Sequence, residues 1–193
     1  MATHIILEEE LVNSFSKILL LSCLAVVFFP AGASAQDADH EKMVKNALSA
    51  ATAAIASGAA VMDGDGNVLR EGTNSYTCLP DDPDMPGNSP MCLDGPWLAW
   101  AHAWMSGEEA PTVETIAFGY MLQSGNPGSN IDPNATEPTD DNEWIETGGP
   151  HIMLLAPLSV LEGMSHDPNT GEPWVMWRGT SLAHVMVPTA QRK

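Results

Sequence analysis

Two tripeptides of one kind stand in the C-terminal third of the chain, His151-Ile152-Met153 and His184-Val185-Met186. Their frames are alike: Pro-His-Ile-Met-Leu-Leu-Ala-Pro in the first and Ala-His-Val-Met-Val-Pro in the second. Side chains alternate along a strand, so each His shares a face with its own Met. If the two strands pair, the imidazoles of His151 and His184 and the thioethers of Met153 and Met186 converge on one side of a sheet. Soft thioether combined with imidazole is a donor set that favours copper. The same residues also have a plainer use, because Met is an ordinary core residue and a His at the start of a strand is often a satisfied polar end of the sheet.

Other chemistry-bearing residues give weaker patterns. Asp63, Asp65 and Asn67 have the one-three-five spacing that opens a calcium loop. Val68 then stands where that loop needs glycine, and Asn74 where it needs a bidentate Glu, so a hairpin turn is the better reading. Asp81, Asp82, Asp84 and Asp94 form a second acidic group of the calcium type. Ser and Thr residues lie near His102, His151, His166 and His184, but none sits in a nucleophile elbow. Asp140, Asp141, Glu143 and Glu146 supply carboxylates for acid–base work of the glycosidase kind, on a glycine-rich stretch where carboxylates are usually solvated. Trp97, Trp100 and Trp104 recur at helical spacing, which is a core stripe or a platform for an aromatic or carbohydrate ligand.

The N-terminal part speaks to compartment. Ile18 to Phe29 runs without a charge, preceded by Lys17 and followed by Pro30. This is shorter than the roughly 20 apolar residues of a bilayer span, and it suits the apolar core of a signal peptide. Ala33-Ser34-Ala35 supplies the small-x-small pattern, which predicts cleavage between Ala35 and Gln36. Glu8, Glu9 and Glu10 occupy the place of the usual positive region, which points to a translation start downstream of Met1.

Cleavage leaves residues 36–193, 158 in all, with 22 acids against six Lys and Arg. That length suits one domain. The acidic balance repels phosphate backbones and anionic lipid, which disfavours nucleic acid and membrane surfaces as partners and leaves a metal or small ligand. Cys78 and Cys92 are then the remaining thiols of a chain in an oxidising place, and a disulfide is expected between them.

The elements that must position these residues follow from periodicity. Residues 39–57 read as an Ala-rich helix closed by Gly58. Residues 59–63 and 68–71 read as a hairpin, with 73–77 extending its second strand. Residues 78–92 form a proline-rich disulfide loop. Gly95-Pro96 opens the Trp helix and Gly107 stops it. Residues 113–122 read as a strand, 124–149 as a long loop, 151–156 as a strand, 158–164 as a short helix, and 174–177 with 184–187 as a hairpin. The expected architecture is α+β, with two or three helices on an antiparallel sheet of about five strands.

The stretch from Arg70-Glu-Gly-Thr-Asn-Ser-Tyr-Thr-Cys78 through Pro86-Gly-Asn-Ser-Pro-Met-Cys92-Leu-Asp94 to Trp97 and Trp100 resembles a family of uncharacterised bacterial secreted proteins. Tyr120-Met-Leu-Gln, Pro150-His-Ile-Met and Ala183-His-Val-Met-Val-Pro resemble later segments of it. The resemblance implies a bacterial, periplasmic or secreted, single-domain protein. It implies no activity, cofactor or catalytic residue. The sequence thus points to an exported binding or structural domain, with a periplasmic hydrolase as the alternative.

Overall fold

Short runs of alternating apolar and polar residues dominate the chain, and in the computed structural model, which describes residues 31–146 and 148–190, they become ten strands beside four helices. The strands are β1 (Ala60–Met62), β2 (Val68–Arg70), β3 (Tyr76–Leu79), β4 (Met91–Asp94), β5 (Ala117–Met121), β6 (Gly128–Ser129), β7 (Trp144–Ile145), β8 (His151–Leu155), β9 (Trp174–Met176) and β10 (His184–Pro188). The helices are α1 (Ala31–Leu48), α2 (Ala53–Ala56), α3 (Gly95–Ser106) and α4 (Leu158–Leu161). Gln36–Lys193 form one compact unit. The apolar run from Ile18 to Phe29 lies outside the described residues, and Ala33, Ala35 and Gln36 fall within α1.

The architecture is α+β, but the sheet is larger than five strands and is mixed. Eight strands run in the order β2-β1-β3-β4-β5-β8-β10-β9, and β6-β7 form a small second sheet. All neighbours are antiparallel except β1 and β3, which pair in parallel through Val61 and Cys78. The expectation that residues 73–77 prolong the second hairpin strand is therefore corrected. After β2 the chain crosses back so closely that a Cβ on Gly72 would lie 2.4 Å from the Ala60 nitrogen. It then starts β3 on the other side of β1.

The disulfide loop also needs correcting. Its flanks are two hydrogen-bonded strands, and Cys78 and Cys92 are direct cross-strand partners joined by the disulfide. A third correction concerns the helix expected over 39–57, which ends at Leu48 and resumes as the four residues of α2. The break has a tertiary cause. The Ala50 carbonyl accepts from the Leu122 amide at 2.9 Å, and the Ser49 carbonyl accepts from Gln123 Nε2 at 2.9 Å. Those acceptors serve the end of β5 instead of continuing the helix.

Three clusters hold the two faces. On one face Ala47 of α1 and Ala50 just past it, both fully buried, lie over Val61, Cys78 and Cys92. Farther along the sheet Leu161 packs with Ala156, Val175 and Val185. The opposite face carries α3. Asp94 caps that helix by accepting from the Trp97 amide at 3.1 Å, and its second oxygen accepts from the Phe118 amide at 2.6 Å. Gly107 ends it in the left-handed conformation, φ 70°. Gly119 lets α3 come close, since a Cβ there would stand 2.9 Å from Leu93 Cδ2 and 3.0 Å from Met153 Cε.

Candidate functional site

Under α3 the register of four strands fixes which side chains share a level. Met121 lies across from His151, and His151 across from Pro188. The next level on the same face runs Gly119, Met153, Met186, Trp174. At the third level Leu155 pairs with Ala117, and His184 with Met176. Met153 and Met186 are thus direct neighbours in the middle, with the two His residues at opposite corners. The corners are four residues apart along the strands, roughly 13 Å.

These side chains line a cavity of about 270 Å³ together with Trp97, Trp100 and Trp104 from α3 and Trp174 and Trp177 from β9 and its end. Residues 124–146 with 148 and 149 wrap its remaining side. Although polar in composition, this segment is ordered by its own bonds. Ser129 Oγ accepts from the Ile131 and Asp132 amides and donates to the Asn142 carbonyl. Its two ends meet where Gly148 N–H donates to the Gly125 carbonyl at 3.1 Å. Neither glycine tolerates a side chain. A Cβ on Gly125 would stand 2.8 Å from His151 Cε1, and one on Gly148 would stand 3.0 Å from Gly125 Cα.

Three cavity indoles are tied to this loop. Trp104 Nε1 donates to the Pro133 carbonyl at 3.2 Å, Trp174 Nε1 to Asn130 Oδ1 at 3.0 Å, and Trp177 Nε1 to the Ser129 carbonyl at 2.9 Å. Asn130 is buried and completes its own set by donating to Glu143 Oε2 and the His166 carbonyl. The other two indoles differ: the Nε1 groups of Trp97 and Trp100 are buried and have no hydrogen-bond partner among the described residues. An unmade buried bond of this kind costs about 1–3 kcal/mol.

Trp177 carries a second cost. Its φ is 57°, in the left-handed region that bulky side chains avoid, a strain of about 1–3 kcal/mol. The surroundings hold it there. Its amide donates to the Asn130 carbonyl at 2.7 Å, its carbonyl accepts from Thr180 Oγ1 at 2.8 Å, and its ring stacks on Trp100 at 5.9 Å and 10°. Backbone strain of this sort concentrates where a side chain must be aimed at a site.

Both imidazoles are buried and oriented in the same way. His151 Nδ1 lies 2.7 Å from the Gly149 carbonyl and His184 Nδ1 lies 3.0 Å from the Leu182 carbonyl. A carbonyl only accepts, so Nδ1 carries a proton on each ring. This is the tautomer, and the tether, that metal-ligating imidazoles use. Burial lowers the His184 pKa to about 4, with a smaller opposing effect from the Leu182 bond. The ring is therefore neutral at physiological pH. It is ringed by Trp97, Trp100 and Trp177 at centroid distances of 5.4, 5.4 and 5.0 Å.

The other residues singled out in the sequence are placed elsewhere. Asp63 spends its carboxylate on its own turn, accepting from the Asp65 and Asn67 amides and from Asn67 Nδ2. The Asn67 side-chain bond, followed by the backbone bonds, lowers its pKa. Asp81 accepts from the Ser89 amide and Asp82 from the Asp84 amide. Among the described residues no group of three or more His, Cys, Asp and Glu side chains is placed to hold an ion. Asp140, Asp141, Glu143 and Glu146 are exposed, as are His102 and His166, and none of them lines the cavity. No helix among the described residues is long and apolar enough to cross a membrane.

Sequence reasoning missed Trp174 and Trp177 as site residues, and with them Ser129 and Asn130. A hairpin pattern over residues 174–187 carries no signal of which face a strand-end Trp will take. Family models, curated proteins and solved structures give no match to the chain.

Proposed function

We propose that the chain is an exported, non-catalytic binding domain whose ligand lies in the indole- and thioether-walled cavity. The observation that carries this reading is the cavity itself. Five of the six Trp residues line it, together with two buried imidazoles, and an ordered loop backs it. Enclosed, largely apolar spaces with a few convergent polar groups are what small-ligand sites are made of. Asp132 is the one carboxylate among the described lining residues, so the cavity holds no carboxylate pair of the glycosidase kind. The disulfide supports export to an oxidising compartment, periplasmic or extracellular.

Copper(I) is the second reading, and a specific observation favours it. Met153 faces Met186 directly between two imidazoles that stand at opposite corners, so one imidazole with the two thioethers is the donor set that the register allows. One thermal-unfolding experiment tests both. Benzene at millimolar concentration raises Tm by a few degrees in the parent and not in Ala101→Phe, which fills the space beside α3. Copper(I), added without oxygen, raises Tm in the parent and not in His151→Ala or Met186→Leu. A parent that responds to neither probe overturns the binding assignment.

A further inference from the structure

We propose that the cavity takes an uncharged aromatic molecule with no hydrogen-bonding group of its own, and rejects the hydroxylated analogues of that molecule. The inference rests on the cavity being the ligand site and names the chemical class its wall selects. It follows from where the polar atoms of the wall are spent. The indole N–H groups of Trp104, Trp174 and Trp177 go to Pro133, Asn130 and Ser129. Ser129 Oγ accepts from two amides and donates to the Asn142 carbonyl. The Nδ1 atoms of His151 and His184 lie on the Gly149 and Leu182 carbonyls.

Other polar atoms of the lining are shut off. The Nε1 atoms of Trp97 and Trp100, Nε2 of His151 and Oδ1 of Asn126 are covered so closely that a water-sized molecule does not reach them. A hydrogen bond needs its heavy atoms about 3 Å apart, so a ligand oxygen is kept from the same four atoms. Asp132, the one charged residue of the lining, is exposed, and its carboxylate accepts from the Asn134 amide at 2.9 Å. The His184 ring is neutral and 3% exposed, and it packs at steep angles against Trp97, Trp100 and Trp177.

What the wall offers a ligand is therefore sulfur and ring carbon. Met121, Met153 and Met186 bring thioethers, which are polarisable and favour contact with an aromatic ring. A hydroxyl moved from water into such a space gives up its water bonds with nothing in return. An ammonium or carboxylate loses far more. A volume of about 270 Å³ admits a substituted benzene ring.

The test ranks p-xylene, 4-methylanisole and p-cresol, three molecules of similar shape, by calorimetry on the intact protein. Cyclohexane cannot hydrogen-bond and octanol can, so the two solvents separate a sealed wall from one with a partner to offer. Affinities are expected to follow the partition of the probes from water into cyclohexane, with p-cresol about a hundredfold or more weaker than p-xylene. Affinities that follow partition into octanol mean that the wall supplies a hydrogen bond, and they overturn the inference while leaving the cavity as a site. 4-Bromotoluene locates the ligand: bromine quenches indoles that it touches, and five of the six Trp residues line the cavity, so its binding is expected to quench most of the tryptophan emission. Binding without quenching puts the ligand elsewhere and removes the cavity reading too. If the protein binds none of the four probes, both readings fall.

Discussion

His184 is neutral because the fold makes charging it expensive. In the unfolded chain it takes up a proton near the ordinary 6.5, whereas in the folded protein burial lowers the pKa to about 4. Between those values the unfolded state binds more protons, so stability is full above pH 6.5, falls as pH drops toward 4, and changes no further below that through this group. A shift of this size corresponds to about 3 kcal/mol for a fully buried ring. Urea melts between pH 7 and pH 4 should show that loss, and His184→Phe should flatten it. The paired His-x-Met pattern was legible in the sequence because alternation follows from strand geometry alone. Trp177 was not, since nothing in Trp-Val-Met-Trp-Arg-Gly announces a left-handed backbone at its fourth residue. Asn130 was hidden in the same way, one amide among many in a polar stretch, until its bonds to Trp174, Glu143 and His166 separated it from the rest.

Among the elements, α3 was the most legible, because the cap, the proline, the Trp spacing and the stop at Gly107 all agree. Asp94 joins this helix to β5 through two amides, so Asp94→Ala removes an N-cap and a cross-link together. A loss of about 1–2 kcal/mol is expected from the cap alone, read by chemical denaturation, with Asp94→Asn milder because it keeps one acceptor. The elements that escaped the sequence are those set by distant partners. α1 breaks at Leu48 where no residue type demands it, because Leu122 and Gln123 claim the Ala50 and Ser49 carbonyls just past it. β3 and β4 were hidden by the prolines between them, and the parallel pairing of β1 with β3 is set by a crossing at Gly72 that a hairpin pattern does not suggest.

For the whole molecule the disulfide is the test of compartment. It joins residues separated by 14 positions that already pair across β3 and β4, so most of its effect falls on the unfolded chain. Replacing both cysteines by Ser should cost about 3 kcal/mol, a fall in Tm of roughly 10 °C, with the cavity intact below the transition. Alkylation and mass measurement of protein taken directly from its source would show whether the bond forms there.

The order of the large sheet carries a temporal consequence. β10 comes last among the described strands and yet is inserted between β8 and β9, where it supplies His184 and Met186 to the cavity wall. Until residues 184–188 have emerged, β9 has no neighbour, and the Trp-lined wall is missing a panel. A growing chain therefore cannot finish its interior ahead of its own synthesis.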